Sequence, residues 1–162
     1  MTLDDLHAPR AASLRALRAL LRTDLPVTEH LHIVVLGFRG GDLVLKAPLS
    51  ANINHQRTAF AGSLNATATL AGWATAWLIM REYDLDAQVV IQDSDVHYER
   101  PVVSDFEARC AFPDADTIER LAAAVRRRGR GRLELSVTVS DAEGDAVRFR
   151  GRYVAARTRR EP

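Results

Sequence analysis

Two asparagines two positions apart, Asn52 and Asn54, stand with His55 just ahead of the longest uncharged stretch of the chain. A neutral carboxamide donates two N–H groups without adding charge, so such a pair suits a carbonyl oxygen that gains negative charge during a reaction. A helix starting at the uncharged stretch adds its first backbone N–H groups and a favourable dipole at the same place. Thr58, Phe60, Gly62 and Ser63 lie where that helix begins and are candidates to touch a bound molecule. No Asp or Glu occurs between Asp42 and Glu82, so this part of the chain offers no carboxylate as base or nucleophile. Each candidate also has a structural use. Asparagines cap turns, Thr58 is more often a helix N-cap than a catalyst, and His55 reads equally as a solvated loop residue. Ser63 lacks the G-x-S-x-G elbow of a nucleophile and reads as a structural hydroxyl or an oxyanion contact.

Other reactive groups lie elsewhere. Asp93 and Asp95 share one face of an expected strand; either could reach a site as a base from a neighbouring subunit, although solvent-facing strand charges are the commoner case. Cys110 alternates with Phe106 and Phe112 and reads as core. His30 and His32 lack a third ligand at a sensible spacing, so no metal is expected. Arginines gather at 15, 18 and 22, at 126–128, 130 and 132, and at 157, 159 and 160, while Lys46 is the only lysine. They are either ordinary solvated faces or a patch that steers an acidic partner. The basic run at 126–132 lacks interleaved aromatics, so nucleic acid is not expected.

Periodicity delineates the elements that must position these groups. Residues 3–22 carry Leu14, Leu17, Leu20 and Leu21 at helical spacing, with Arg15, Arg18 and Arg22 on another side. Strands are expected at 31–38 and 43–47, joined at Gly40-Gly41-Asp42 into a hairpin that Pro48 ends. The loop 48–57 leads into a long helix over 58–82. Strands follow at 87–98 and 104–112, then a helix over 117–128 between an Asp114 or Asp116 cap and Gly129. Strands at 132–140 and 146–156, joined by the turn 141–145, close the chain.

The 23 uncharged residues from Thr58 to Met80 are long enough to cross a bilayer. Gly62, Ser63, Asn65, Thr67, Thr69, Gly72 and Thr75 make the stretch only mildly apolar, and Arg57 and Arg81 flank it without an orienting bias. A helix buried on all sides in a core has the same composition. An antiparallel sheet of about six strands wrapped around it hides it completely. The expected fold is therefore α+β, a single hotdog domain over 1–162 with an N-terminal helical extension over 1–25 and a flexible tail over 157–162. Such a sheet leaves an edge strand open, which points to a homodimer. A chain of 162 residues, 47% hydrophobic and 27% charged with net charge +1, is ordinary for one globular domain and has no whole-chain pull toward nucleic acid or membrane. The single cysteine excludes an internal disulfide, and Asp4, Asp5 and Arg10 interrupt any signal-like apolar start, so a cytoplasmic protein is expected.

The run from Ala47 to Leu64, APLSANINHQRTAFAGSL, resembles the thioesterase-like family named after the YiiD C-terminal domain, whose pattern reads roughly A-P-L-x-x-N-x-N-x-x-x-T-x-F-x-G-S. Leu70-Ala71-Gly72-Trp73, Val90-Ile91-Gln92-Asp93-Ser94 and Tyr98-x-Arg100-Pro101 continue the likeness, which covers about 45–155. The pattern often has Gly where this chain carries Arg57. The resemblance implies an acyl thioester substrate on acyl carrier protein or coenzyme A, with no cofactor beyond the substrate's own phosphopantetheine. It also implies two chemistries, thioester hydrolysis and decarboxylation of malonyl-acyl carrier protein to the acetyl form that starts fatty acid synthesis. Hydrolysis needs a base or carboxylate nucleophile, which hotdog thioesterases usually place on the central helix or the loop before it. Decarboxylation needs neither: the leaving carboxylate supplies the electrons, and the protein must position it and hold the enolate oxygen. The expected enzyme is a malonyl-carrier decarboxylase with Asn52 and Asn54 catalytic and His55, Thr58, Phe60, Gly62 and Ser63 binding substrate. A thioesterase and a non-catalytic acyl-thioester-binding module are the alternatives.

Overall fold

The computed structural model describes residues 11–157. The expected N-terminal helix is α1, Ala11–Asp24; its expected part before Ala11, and the tail after Arg157, lie outside the described residues. Leu17 and Leu21 bury one stripe of α1 and Leu14 and Leu20 flank it, the pattern of an amphipathic helix laid on a core. A five-residue helix, α2 (Pro26–His30), follows with proline in its first turn. The next strand, β1 (Val34–Arg39), starts three residues later than the apolar run suggests. Thr28 delays it: its hydroxyl donates to the Leu21 and Leu25 carbonyls, and its own carbonyl accepts from Ile33 N at 2.8 Å.

The remaining elements are β2 (Asp42–Ala47), a single helical turn α3 (Leu49–Asn52), the long helix α4 (Ala61–Glu82), β3 (Gln88–Tyr98), β4 (Phe106–Ala111), α5 (Ala115–Arg128), β5 (Arg130–Asp141) and β6 (Gly144–Ala156). Asp114 caps α5 by accepting from Thr117 N at 2.7 Å. Gly129 ends that helix at φ +68°, a left-handed position that costs glycine nothing. The six strands form one antiparallel sheet in the order β1-β2-β4-β5-β6-β3. Along β5 Gly131, Leu133, Leu135, Val137 and Val139 turn inward, and α4 lies against the inner face, touching β2, β3, β4, β5 and β6. This is the hotdog arrangement.

Burial on nearly every side explains why α4 carries no charge before Arg81. Its buried threonines are satisfied locally: the hydroxyls of Thr67 and Thr75 donate to carbonyls four residues back, at 2.8 and 2.9 Å. Cys110 is buried, as its alternation with Phe106 indicates, and burial pushes its thiol up to about 12. Among the described residues no helix is long and apolar enough to cross a membrane.

The two sheet edges differ. On β1, the Arg18 guanidinium donates to the Val35 and Leu36 carbonyls at 3.0 Å each, which caps an edge that would otherwise be open. Arg18 thus has a structural task rather than a free charge. At the other edge β3 runs for 11 residues with most side chains exposed, Val90 at 57% among them.

Candidate active site

Asn54 shapes the loop that enters α4. Its Oδ1 accepts from Gln56 N at 2.9 Å and Thr58 N at 3.1 Å, and its Nδ2 donates to Thr58 Oγ1 at 3.0 Å and the Ala59 carbonyl at 3.4 Å. The closure drives Arg57 to φ +67°, a left-handed conformation costly for any residue with a Cβ. Glycine, frequent here in the resembled pattern, takes that conformation freely. Arg57→Gly is therefore expected to raise stability by ~0.5–1 kcal/mol, the relieved strain exceeding the extra freedom of the unfolded chain. A thermal melt reads this directly, and an equal or lower Tm contradicts it.

Asn52 is buried, and its Nδ2 donates to the Leu31 carbonyl at 2.9 Å and the Pro48 carbonyl at 2.8 Å. Two carbonyl acceptors fix the amide's orientation, because only its N–H side can serve them. The Oδ1 on the other side is buried without a partner among the described residues. The Asn52 backbone carbonyl accepts from Phe60 N at 2.7 Å, so this residue joins α3, the approach to β1 and the entry to α4. The amide hydrogens of both asparagines are thus donated within the protein; the one Asn52 side-chain atom left without a partner among the described residues is a buried acceptor.

The donors that remain lie on α4 itself. That helix begins at Ala61 with Phe60 as its cap residue, so Thr58, three positions earlier, is not the N-cap that its type suggests. Ala59 N is held by the Val102 carbonyl at 2.8 Å, and the N–H groups of Ser63 and Leu64 return to the Phe60 carbonyl. The N–H groups of Ala61 and Gly62 have no acceptor among the described residues and sit at the positive end of a 22-residue helix. Phe60 is half exposed, its ring so close over Gly62 that a Cβ there would fall 2.2 Å from Cε1. Ser63 is buried, and its hydroxyl makes no hydrogen bond among the described residues. His55 is exposed on the loop.

Two neighbours escaped sequence reasoning. The Asn65 Oδ1 is buried and unpartnered one turn into α4. Its four-residue spacing from Ala61, in a helix with no charge before Arg81, was the available signal. Tyr98, at the end of β3, donates its hydroxyl to the Ala61 carbonyl at 3.2 Å; only the fold brings it there.

Carboxylates around this entrance are either turned away or engaged. Asp93 and Asp95 pair across the ladder with Arg152 and Arg150, whereas Val96 and Tyr98 pair with the inward Phe149 and Val147. Cross-strand partners share a face, so both aspartates lie on the outer surface, opposite α4; Asp93 bonds Arg152 at 2.8 Å and Asp95 bonds His97 at 3.2 Å. Asp105 accepts from Leu49 N at 3.0 Å and lies 3.6 Å from the Lys46 ammonium. Asp141 holds Arg100 at 2.5 Å and accepts from Val103 N and Glu143 N, both at 2.9 Å, which anchors the segment whose Val102 carbonyl binds the loop. Among the described residues no three His, Cys, Asp or Glu side chains are grouped to hold a metal.

Burial alone would raise the Asp141 pKa, but the Arg100 hydrogen bond and the two backbone donors outweigh it and lower the carboxyl to about 2. A folded pKa below the unfolded value of 3.8 makes the contribution complete above pH 4 and lost as pH falls through 2. Urea midpoints are therefore expected to fall between pH 4 and pH 2, less steeply in Asp141→Asn. Equal slopes would remove Asp141 as the cause.

An apolar cavity of about 310 Å³ opens beside α4, walled by Leu25, Leu31, Ile33, Thr69, Trp73 and Ile91. Comparison with known proteins identifies the fold and the family. Residues 14–157 match the family model described as "Putative thioesterase (yiiD_Cterm)". A structure described as a "putative thioesterase" from Shewanella oneidensis is 31% identical with TM-score 0.80, over 91% of this chain and 99% of that one. A protein of unknown function from Chlorobaculum tepidum is 26% identical with TM-score 0.86, over 94% and 98%. One from Pseudomonas aeruginosa, at 21% identity and TM-score 0.76 over 93% and 98%, shares the fold.

Proposed function

The chain belongs to the YiiD C-terminal-domain thioesterase family of hotdog proteins, and from that premise we propose that it acts on an acyl thioester, decarboxylating malonyl-acyl carrier protein to the acetyl form. The observation that carries the finer reading is the entrance to α4: unsatisfied donors stand at Ala61 and Gly62, while the nearby carboxylates are engaged or face away. The bond from C2 to the carboxylate breaks, carbon dioxide leaves, and its electron pair forms the thioester enolate. The Ala61 and Gly62 N–H groups and the Ser63 hydroxyl receive the enolate oxygen, and C2 then takes one proton, from water or from His55. Asn52 and Asn54 act by positioning. They fix the loop, with Thr58, so that the helix start stays aimed at the thioester. Phe60 and Gly62 form the apolar flank of the entry. No further cofactor is required, and a cytoplasmic carrier supplies the substrate.

We also propose that two copies pair through β3. Among the described residues no strand pairs with its outer edge, which runs for 11 residues and is engaged by a side chain at the Val89 carbonyl, the acceptor of Trp73 Nε1 at 2.9 Å; beside it Trp73 and the apolar cavity are only partly covered.

The family's description favours hydrolysis as the second reading; it asks for a carboxylate base or nucleophile, and the carboxylates described around this entrance are engaged or face away. Purified protein offered malonyl, acetyl and longer acyl groups, each on carrier protein and on coenzyme A, separates the readings. Carbon dioxide from the malonyl substrates alone supports decarboxylation. Acids released across the panel support hydrolysis, and binding without products supports a carrier module.

A further inference from the structure

A groove of about 560 Å³ lies between α5 and the start of β5, lined in part by Thr117, Arg120, Ala124, Arg128, Arg130 and Arg132. Among the described residues none of these arginines meets a carboxylate. Arg120 bonds the Thr117 hydroxyl at 2.9 Å and Arg132 the Gln92 amide oxygen at 3.3 Å, while Arg128 and Arg130 make no ion pair or hydrogen bond among the described residues. Other arginines of the sheet and its connections behave differently. Arg39, Arg100, Arg109, Arg148, Arg150 and Arg152 each reach an Asp or Glu. Asp116 and Glu119 occupy other positions of α5 and do not line the groove. Positive charge from α5 and β5 is therefore concentrated along a groove with no acidic side chain in its lining, a wider target than a single phosphate needs.

We propose that this groove docks an acidic carrier protein whose acyl arm enters the site of the opposite copy in a β3-paired dimer; the inference rests on the thioester reading above. The topology argues for the crossing. Gln88, Ala156 and Arg130 are in register at the groove's end of the sheet, whereas Tyr98, Val147 and Val139 mark the end where α4 starts. Ten residues of strand put about 30 Å between the two ends within one copy. Antiparallel pairing of two β3 strands centred on Asp93 reverses the second copy, bringing its α4 start to the groove's end. From β3 to β5 is then only about 10 Å across the sheet.

The test is binding of labelled, unacylated holo-carrier protein at low salt, followed by fluorescence anisotropy. Arg128→Glu/Arg130→Glu is expected to weaken Kd at least ~10-fold, Arg128→Ala/Arg130→Ala less, and Arg150→Glu, at a position outside the groove where Arg150 pairs with Glu134, not at all. Unchanged binding in the groove variants, or no saturable binding by the wild type, overturns the docking. Tighter, groove-dependent binding of a single-stranded RNA of equal charge overturns it too, in favour of nucleic acid. Turnover of malonyl-coenzyme A is unchanged in these variants, so failure of the chemistry shows separately as wild-type binding without product. Mixing Asn54→Ala copies with Arg128→Glu/Arg130→Glu copies, at carrier concentrations below KM, is expected to restore about a quarter of wild-type turnover through mixed dimers. No restoration overturns delivery to the opposite copy.

Discussion

Asn54→Ala lowers kcat for malonyl-carrier protein by roughly 100-fold while the protein still melts cooperatively, because a displacement of about 1 Å at a positioned donor is enough for a loss of that size. The four hydrogen bonds of this one amide close residues 54–59. Without them the loop no longer holds Ala59 and Phe60 at a fixed entry angle, and the free N–H groups of Ala61 and Gly62 lose their aim. The loop is on the surface, so the core survives. Asn54→Asp separates positioning from mere presence of a polar group. It keeps an acceptor for Gln56 N and Thr58 N but loses the donors to Thr58 and Ala59, and its activity falls between the other two. A structural role alone would move Tm and leave kcat; an unchanged kcat in Asn54→Ala contradicts the positioning role.

Gly72→Ala carries the largest expected cost in stability. A Cβ at Gly72 would lie 2.3 Å from the Tyr153 hydroxyl and 2.6 Å from its ring. Tyr153 is 1% exposed and donates to the Thr69 carbonyl at 2.8 Å, so the ring has nowhere to retreat. Overpacking at such a contact costs about 2–3 kcal/mol, which lowers Tm by roughly 5–10 °C in a chain of this length. Tyr153→Phe removes the nearest of the clashing atoms, so the double variant is expected to lose less than the sum of the single losses. A fall in Tm below 1 °C for Gly72→Ala would contradict this packing.

The elements legible in the sequence were those fixed by periodicity. Leu17 and Leu21 on α1, the alternation along β4 and β5, and the uncharged run of α4 all carry their burial in spacing. The short helices α2 and α3 are less visible, since five and four residues span too little for a 3.6-residue period to emerge. The start of α4 moved from Thr58 to Ala61 because the preceding residues take a bridge between Ile53 and Ala59 instead of a helical turn. Site residues were legible as types, not as orientations. The outward turn of Asp93 and Asp95 follows the common behaviour of strand charges, but nothing in the residue type reveals that Asn52 spends its amide hydrogens on Leu31 and Pro48. The Leu31 partner is distant in sequence, as Tyr98 is from Ala61.

The most direct test of the central claim is mass spectrometry of malonyl-carrier protein incubated with the purified chain in heavy water. The expected product is acetyl-carrier protein whose methyl group holds one solvent deuterium, formed with one carbon dioxide. Carrier protein with a free thiol and released malonate, without acetyl product, would contradict the account.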